Sequence, residues 1–262
     1  MSLLDGLLTD LGAEAAALDD VVSGLDAAGW AAPTPATGWS IAHQVAHLAW
    51  TDEVAVLAAT DPVAFRAVPD TDGVVDEAAA AGAAVPPAEL LERWRAARAA
   101  LTAALAGVAP GEKLPWYGPP MSAASMATAR LMETWAHGVD VTDALGLPPS
   151  ATDRLRAVAH LGVVTRGFAF GQHGLPAPAD DVRVELTAPS GDVWTWGGPD
   201  AADRVTGPAL DFCLRATQRR PRAALDLRAR GPVAERWLAV AQAFAGPPGP
   251  GSEGAAPQEG TR

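Results

Sequence analysis

The feature that most constrains the fold is a series of four long segments with helical periodicity in the first 145 residues. In the second segment, Ser40 can cap a helix whose apolar residues, among them Ile41, Val45 and Leu48, recur at mostly three- and four-residue spacing. The predicted helices cover residues 4–28, 40–60, 90–108 and 122–145, with no predicted strand between them. Such helices bury their apolar stripes against one another, which predicts a four-helix bundle.

The C-terminal half has a different pattern, in which helices alternate with short strands. Residues 182–188 alternate apolar and polar side chains, residues 189–192 resemble a turn, and Val193–Trp196 is rich in β-formers, which together predict a β-hairpin. Helices are also predicted at 152–170, 209–217 and 233–244, and a strand at 223–228. We therefore predict an α+β protein with a helical bundle at 1–149 and a small α+β domain at 150–245. The segment 246–262 lacks large apolar groups and is predicted to be a disordered tail.

Three residues of the predicted bundle have the chemistry of a metal site. Glu133 and His137 are four residues apart on the fourth helix, so they lie on one face and can hold one ion together. His47, on a facing helix, can complete a shell of two histidines and one carboxylate. Three protein ligands leave a coordination position open, as in catalytic metal sites. Zinc fits this mixed nitrogen and oxygen set, although nickel, iron or manganese could also occupy it.

Charge and composition exclude several classes of function. The formal net charge of −12 disfavours binding to nucleic acid or to anionic membranes, and no apolar run is long enough to span a bilayer. The N-terminus lacks the basic and apolar regions of a signal peptide, so we expect a cytoplasmic protein. The single cysteine, Cys213, excludes an internal disulfide. The sequence does not indicate an oligomeric state.

These residues are similar to those of the mycothiol-dependent maleylpyruvate isomerase family, within the broader group of DinB-like metal-binding bundles. The resemblance covers about residues 5–245. The matching motifs are Gly-Trp-Ser at 38–40, His-Leu-Ala at 47–49, Glu-Thr-Trp-Ala-His at 133–137 with Asp140, Val-Arg-Val-Glu-Leu at 182–186, Trp-Thr-Trp-Gly at 194–197 and Val-Thr-Gly-Pro-Ala at 205–209. The resemblance implies a DinB-like four-helix bundle followed by a sterol-carrier-like C-terminal domain. It also implies that His47, Glu133 and His137 are ligands of a divalent ion, usually zinc.

The resemblance implies an activity with a small thiol. In the related isomerases, the thiolate of mycothiol adds to a conjugated double bond, the resulting single bond rotates, and elimination gives the trans isomer. The same activation would serve a thiol S-transferase. A metal-activated water would instead give a thiol-independent hydrolase or lyase. A second class of function is a ligand-binding module of sterol-carrier type, in which the metal is structural or sensory.

Several neighbours of the predicted metal site are candidates for further roles. His43, one turn before His47, stands where many relatives have an acidic or other polar residue; it could be a fourth ligand, a general base, a group behind the ligands or a histidine bonded to solvent or backbone. Asp140 could accept the free ring N–H of His137 or be a solvated surface carboxylate. Arg130 could hold a substrate carboxylate or form a salt bridge with a neighbouring helix.

The remaining candidates are aromatic or basic. Trp50 and Tyr117 could line a cofactor pocket or belong to the core. In the C-terminal domain, Arg219, Arg220 and Arg222 could reach an anionic substrate or the carboxylates of a thiol cofactor, or form a solvated basic turn. We select Arg220 from this group, together with His43 and Arg130, as candidate catalytic residues that act on a small and possibly anionic substrate.

Overall fold

The computed structural model describes residues 2–71 and 73–246, and the chain divides into two compact units with a boundary between Ser150 and Ala151. The N-terminal unit is helical, and its elements are α1 (Leu3–Val22), α2 (Ala27–Trp30), α3 (Ile41–Thr60), α4 (Pro62–Ala67), α5 (Val74–Ala83), α6 (Pro87–Ala106) and α7 (Ala123–Ala144). The long helices α1, α3, α6 and α7 correspond to the four predicted segments, which confirms the helical bundle. The predicted tail lies outside the described residues from position 247 onward.

A serine begins three of the four long helices, α1, α3 and α7. Ser2 Oγ accepts the backbone N–H of Asp5 at 3.1 Å, and the Asp5 carboxylate accepts the N–H of Ser2 at 2.8 Å, which closes a capping box at α1. Ser122 Oγ accepts the N–H of Ser125 at 3.1 Å at the start of α7. Ser40 is the capping residue of α3. The starting points of α3 and α7, the two helices that carry the predicted metal ligands, are therefore set locally.

Apolar packing between α3 and α6 forms a large part of the bundle core. Trp94 and Leu90 of α6 and Ile41, Val45 and Leu48 of α3 are fully buried in one cluster. Full burial of an aliphatic or aromatic side chain contributes about 1.5–3 kcal/mol each. These contacts hold the first half of α3 in a defined position. Across the described residues, none of the helices is long and apolar enough to cross a membrane.

The C-terminal unit combines helices with a four-stranded sheet. Its elements are α8 (Leu155–Val164), α9 (Arg166–Gln172), β1 (Val182–Thr187), β2 (Val193–Trp196), β3 (Asp203–Pro208), α10 (Ala209–Ala216), a 3-10 turn at Arg222–Ala224, β4 (Arg228–Arg230) and α11 (Pro232–Val240). The strand order is β2-β1-β3-β4, with β1 antiparallel to β2 and parallel to β3, and β3 antiparallel to β4. The hairpin and the α+β class predicted from the sequence are confirmed.

A short connection between β2 and β3 crosses the start of β1. Because β1 pairs with β2 on one side and with β3 on the other, residues 197–202 pass from one side of β1 to the other. Gly197 has φ +75°, and a Cβ added there would lie 2.2 Å from the carbonyl oxygen of Val182. The Asp181 carboxylate accepts the backbone N–H of Gly198 at 2.6 Å. The crossing is thus packed directly against the backbone of β1.

Several predicted elements differ from the structure. The helix predicted at 152–170 is divided at Thr165 into α8 and α9. Thr165 Oγ1 donates to the backbone oxygen of Leu161 at 2.8 Å, a side-chain hydrogen bond of the kind that often bends helices. The strand predicted at 223–228 is wrong, since a 3-10 turn occupies its beginning and β4 starts only at Arg228. The first helix ends at Val22 and not at residue 28, because the chain turns before the separate helix α2.

Candidate metal centre

Two helices of the bundle bring three potential ligands together. His47 comes from α3, whereas Glu133 and His137 lie one turn apart on the same face of α7. Glu133 Oε2 is 3.2 Å from His137 Nε2 and 3.5 Å from His47 Nε2. In the described part of the chain, this is the one group of three or more His, Cys, Asp or Glu residues whose ligand atoms converge within 4.8 Å of one another.

The spacing of these atoms suits an ion held between them. In a tetrahedral zinc site with ligand distances of about 2.0–2.1 Å, neighbouring ligand atoms are about 3.3 Å apart. The observed distances of 3.2 Å and 3.5 Å lie on either side of that value. The side chains of His47, Glu133 and His137 are 9%, 22% and 13% exposed, so little solvent competes for the site. The residues present therefore fit a divalent cation bound through two nitrogens and one oxygen.

The charge state of Glu133 also suits metal binding. Burial alone would raise the pKa of Glu133, but its hydrogen-bond and charge interactions with His137 and His47 hold that pKa well below the usual range. Glu133 is consequently ionised at neutral pH. A carboxylate must be ionised to bind a metal ion, so the site is prepared for a cation.

The outer edges of the two histidine rings have different surroundings. His137 Nδ1 lies 2.5 Å from Gln44 Oε1, whereas Asp140 Oδ2, the partner considered from the sequence, lies 3.8 Å from the same nitrogen. Sequence reasoning missed Gln44, because an amide within an apolar helix belongs to no recognised metal motif. His47 Nδ1 is buried and has no hydrogen-bond partner among the described residues.

Trp39 forms an aromatic wall beside the three ligands. Its ring centroid lies 5.4 Å from that of His47 and 6.0 Å from that of His137, and the latter pair is nearly parallel, with an interplanar angle of 18°. Its indole Nε1 donates to Asp76 Oδ1 of α5 at 2.8 Å, which holds the ring in place. The sequence analysis quoted Trp39 within the Gly-Trp-Ser motif but gave it no role in the site.

The ring of His43 points into the start of its own helix. Ser40 Oγ lies 2.8 Å from His43 Nδ1, and the Ser40 backbone N–H donates to the same nitrogen at 3.3 Å. Because the backbone N–H can only donate, Nδ1 accepts, and the ring hydrogen of neutral His43 lies on Nε2. His43 does not belong to the converging group of described ligand atoms. A catalytic role of His43 stays a prediction, and only its Nε2 could take part, because Nδ1 is bonded to Ser40.

Arg130 forms a buried ion pair with α3. Its Nε donates to Asp52 Oδ1 at 2.8 Å, and the two side chains are only 3% and 4% exposed. Arg130 Nη2 is buried without a hydrogen-bond partner among the described residues. Of the two roles considered from the sequence, the geometry favours the salt bridge with a neighbouring helix. Binding of a substrate carboxylate by Arg130 stays a prediction.

Trp50 and Tyr117 belong to an aromatic cluster built around α4. The Phe65 ring lies 5.7 Å from the ring of Trp116 and 5.3 Å from that of Tyr117, and Trp50 packs against the same cluster. Partial burial, together with the negative charge of Asp70, raises the pKa of Tyr117. This packing is that of an apolar cluster, and a role of Trp50 and Tyr117 in cofactor binding stays a prediction.

Arg220 lies in the C-terminal unit, directly after the end of α10. The helix ends with Gln218 in the left-handed conformation (φ +58°), and the N–H of Arg219 donates to the carbonyl of Leu214 at 2.8 Å, as in a Schellman motif. Arg220 Nη1 donates to the carbonyl oxygen of Arg219 at 2.8 Å, and Arg222 pairs with Glu235. The role of Arg220 in substrate binding stays a prediction.

Fold and site together define a class of protein, namely helical bundles in which two histidines and a glutamate lie close enough together to hold a metal ion. A family model described as the mycothiol maleylpyruvate isomerase N-terminal domain matches residues 11–142. The chain belongs to this family, which confirms the resemblance found in the sequence. A second model, described as wyosine base formation, matches residues 178–230 in the C-terminal unit.

Relatives and solved structures agree with this family. An uncharacterized protein of Mycobacterium tuberculosis, found with the same figures in two strains, is 57% identical over 249 residues, which cover 93% of this chain and 97% of the relative. The crystal structure of mycothiol-dependent maleylpyruvate isomerase aligns with a TM-score of 0.60 at 18% identity and covers 88% of this chain and 95% of that one. A histidine-to-alanine mutant of that isomerase aligns equally well, over 86% and 92%. At this identity the likeness shows a shared fold.

Proposed function

We propose that this protein is a metal-dependent enzyme that uses a small thiol to isomerise or to modify a small unsaturated or electrophilic substrate. The observation that carries the proposal is the convergence of His47, Glu133 and His137, with Glu133 Oε2 3.2 Å and 3.5 Å from the two ring nitrogens. Membership of the mycothiol maleylpyruvate isomerase N-terminal domain family supports the thiol and the isomerase chemistry. The structural neighbours are the mycothiol-dependent maleylpyruvate isomerase and its histidine-to-alanine mutant, so the same thiol and reaction are associated with this fold.

The proposed ion, with zinc as the best fit to two nitrogens and one oxygen, would lower the pKa of a bound thiol and supply a thiolate at neutral pH. The chain's own residues prepare the site for this chemistry. The ionised Glu133 would neutralise part of the charge of the metal ion. The imidazole rings of His47 and His137 would supply two nitrogen ligands beside it. Trp39 lies against both rings and reduces the access of water.

The substrate is proposed to be a small anion, and Arg130 and Arg220 are the two basic residues considered for binding it. Arg130 is already engaged by Asp52 in a buried pair, so its guanidinium is largely committed to the fold. Arg220, which follows the C-terminus of α10 in the C-terminal unit, is a separate candidate for binding a substrate or cofactor carboxylate, which a guanidinium binds through two parallel hydrogen bonds. A cytoplasmic location, where low-molecular-weight thiols are kept reduced, belongs to the same proposal.

The decisive experiment combines metal analysis with activity measured with and without mycothiol. The purified chain should contain close to one equivalent of divalent metal, and His137→Ala should lose most of it. His160→Ala serves as the matched control, because His160 is exposed in the C-terminal unit and lies outside the converging group. Removal of the metal with a chelator should abolish activity, and restoring zinc should recover it.

Each part of the proposal has an outcome that would contradict it. Full metal retention in His137→Ala would exclude the assigned ligands. Equal activity in the absence of any thiol would exclude the thiol-dependent reaction and favour hydrolysis or a lyase reaction. Arg220→Ala should weaken substrate use at unchanged metal content, whereas Arg228→Ala, which alters another surface arginine of the same unit, should change neither. Equal effects of these two substitutions would count against a specific role of Arg220.

A further inference from the structure

A hydrogen-bonded chain connects the ring of His137 with the loop that precedes α3. Gln44 of α3 is fully buried and places Oε1 2.5 Å from His137 Nδ1. Its amide nitrogen Nε2 lies 2.9 Å from Thr34 Oγ1, and Thr34 Oγ1 lies 2.9 Å from the backbone oxygen of Trp39. Four groups thus follow one another without interruption from a backbone carbonyl to an imidazole.

The direction of every hydrogen bond in this chain follows from its first acceptor. The carbonyl oxygen of Trp39 can only accept, so the single hydroxyl hydrogen of Thr34 points towards it. The Thr34 oxygen is then left to accept from Gln44, which must turn its Nε2 towards Thr34 and its Oε1 towards His137. An amide oxygen can only accept, so His137 Nδ1 carries a hydrogen.

The opposite nitrogen of His137 is affected directly. With the hydrogen of the neutral ring on Nδ1, His137 Nε2 keeps its lone pair, which faces Glu133 Oε2 at 3.2 Å. Without Gln44, the nearby carboxylate of Glu133 would favour the hydrogen on Nε2, where it would compete with metal binding. In the protonated ring both nitrogens carry hydrogen and Nε2 donates to Glu133, which is an interaction that lowers the pKa of Glu133; in the neutral ring the lone pair on Nε2 is available to a cation.

Two further contacts agree with this assignment. Asp140 Oδ2 lies 3.8 Å from His137 Nδ1, where a negative charge favours an N–H over a lone pair. The ring of Trp39 lies nearly parallel to that of His137, and its backbone oxygen begins the same chain. The loop that precedes α3 therefore contacts His137 in two ways. Trp39 packs against the face of the imidazole, and Thr34 acts through Gln44 on its Nδ1.

We propose that Gln44 is a positioning residue that sets the tautomer of His137, with hydrogen on Nδ1 and a free Nε2 directed at the metal site. This role deepens the proposed function, since it rests on His137 as a ligand. The tautomer itself is a property of the metal-free chain. It can therefore be tested separately from metal binding.

The test uses the full-length chain with 15N-labelled histidine. Long-range proton–nitrogen correlation spectra of the metal-free protein, recorded at about pH 8.5 where imidazoles are mostly neutral, show which ring nitrogen carries hydrogen. The His137 signals are assigned by their loss in His137→Ala. The variants are Gln44→Leu, which removes both hydrogen bonds, and Gln44→Glu, which keeps an oxygen acceptor. Gln242→Leu is the matched control, because Gln242 is an equally buried glutamine in the C-terminal unit.

The wild type, Gln44→Glu and Gln242→Leu are expected to carry hydrogen on His137 Nδ1. Gln44→Leu should carry it on Nε2 and bind zinc roughly 10–100-fold more weakly in a competition titration, the usual loss when a group that orients a ligand is removed. Hydrogen retained on Nδ1 in Gln44→Leu, or unchanged zinc affinity in that variant, would overturn the proposal.

Two other outcomes are also decisive. If the wild type binds no zinc but the tautomer changes in Gln44→Leu as expected, the proposed metal function fails and the role of Gln44 stands. If Gln44→Leu does not fold, Gln44→Glu decides the matter. Hydrogen on Nε2 in Gln44→Glu would then reject the assignment, and hydrogen on Nδ1 would support it.

Discussion

The buried pair of Asp52 and Arg130 allows a quantitative prediction about the stability of the bundle. Arg130→Met keeps the length of the side chain but leaves the Asp52 carboxylate, 4% exposed, without its partner. Loss of one partner from a buried pair costs about 3–5 kcal/mol. At about 2.1 cal/mol/K of unfolding entropy per residue, the 150-residue N-terminal unit should lose about 10–15 °C in melting temperature.

The double variant Asp52→Leu/Arg130→Met separates the pair interaction from the loss of a side chain. It removes both buried charges, so most of the lost stability should return. Thermal unfolding of the full chain is followed by circular dichroism. Arg93→Met is the matched control, since Arg93 pairs with Glu53, the neighbour of Asp52, but both side chains are more than a third exposed. This exposed pair should contribute at most about 1 kcal/mol.

The reasoning fails if Arg130→Met melts no lower than Arg93→Met. It also fails if the double variant loses as much stability as Asp52→Leu and Arg130→Met lose together, because the two charges would then not interact. A normal metal content in Arg130→Met, alongside the lowered melting temperature, is expected from a pair that supports the helices without binding the ion.

Two further predictions concern stability. Hydrogen bonds from Arg95, aided by Arg98 and opposed by burial, lower the pKa of Asp19. The stabilisation is therefore complete above the unfolded pKa of about 3.9 and is lost as the pH falls through the lower folded pKa. Asp19→Asn should cost about 1–3 kcal/mol at pH 7 and progressively less in urea titrations at acidic pH, and a pH-independent difference would contradict this. A Cβ at Gly82 would lie 2.7 Å from Ala46 Cβ, so Gly82→Ala should cost about 1–3 kcal/mol of stability. Gly12 faces open space on α1, so Gly12→Ala should stabilise the protein by up to about 1 kcal/mol. A higher melting temperature for Gly82→Ala than for Gly12→Ala would refute this reasoning.

The sequence contained enough information for the long helices because their boundaries are local. Ser40 and Ser122 are the capping residues of α3 and α7, and apolar periodicity then extends over 20 residues in α3 and 22 in α7. The strand β3 was not predicted, because its sequence Asp-Arg-Val-Thr-Gly-Pro contains three residues that are rare in strands, namely Asp, Gly and Pro. Its place in the sheet depends on pairing with β1 and β4, which no local pattern encodes.

The candidate site was predictable to the extent that it follows helical spacing. Glu133 and His137 are separated by one turn, and His47 was placed opposite them through the expected packing of two helices. Gln44 and Asp52 escaped notice because their roles arise from contacts 93 and 78 positions away in the sequence. Such partners depend on how the two helices are rotated against each other, and one sequence does not determine that rotation.

The connection that crosses the start of β1 has a consequence for how this chain can be altered. Residues 197–202 have little spare length, and they lie against Val182 and Asp181 on their way from β2 to β3. Insertions or deletions there would shift the pairing of two strands at once, so the length of this loop should vary little among functional versions of the chain. By contrast, the turn around Gly191 has open space beside it and joins only β1 to β2. Epitope tags, labels or fused domains are therefore best introduced at that turn.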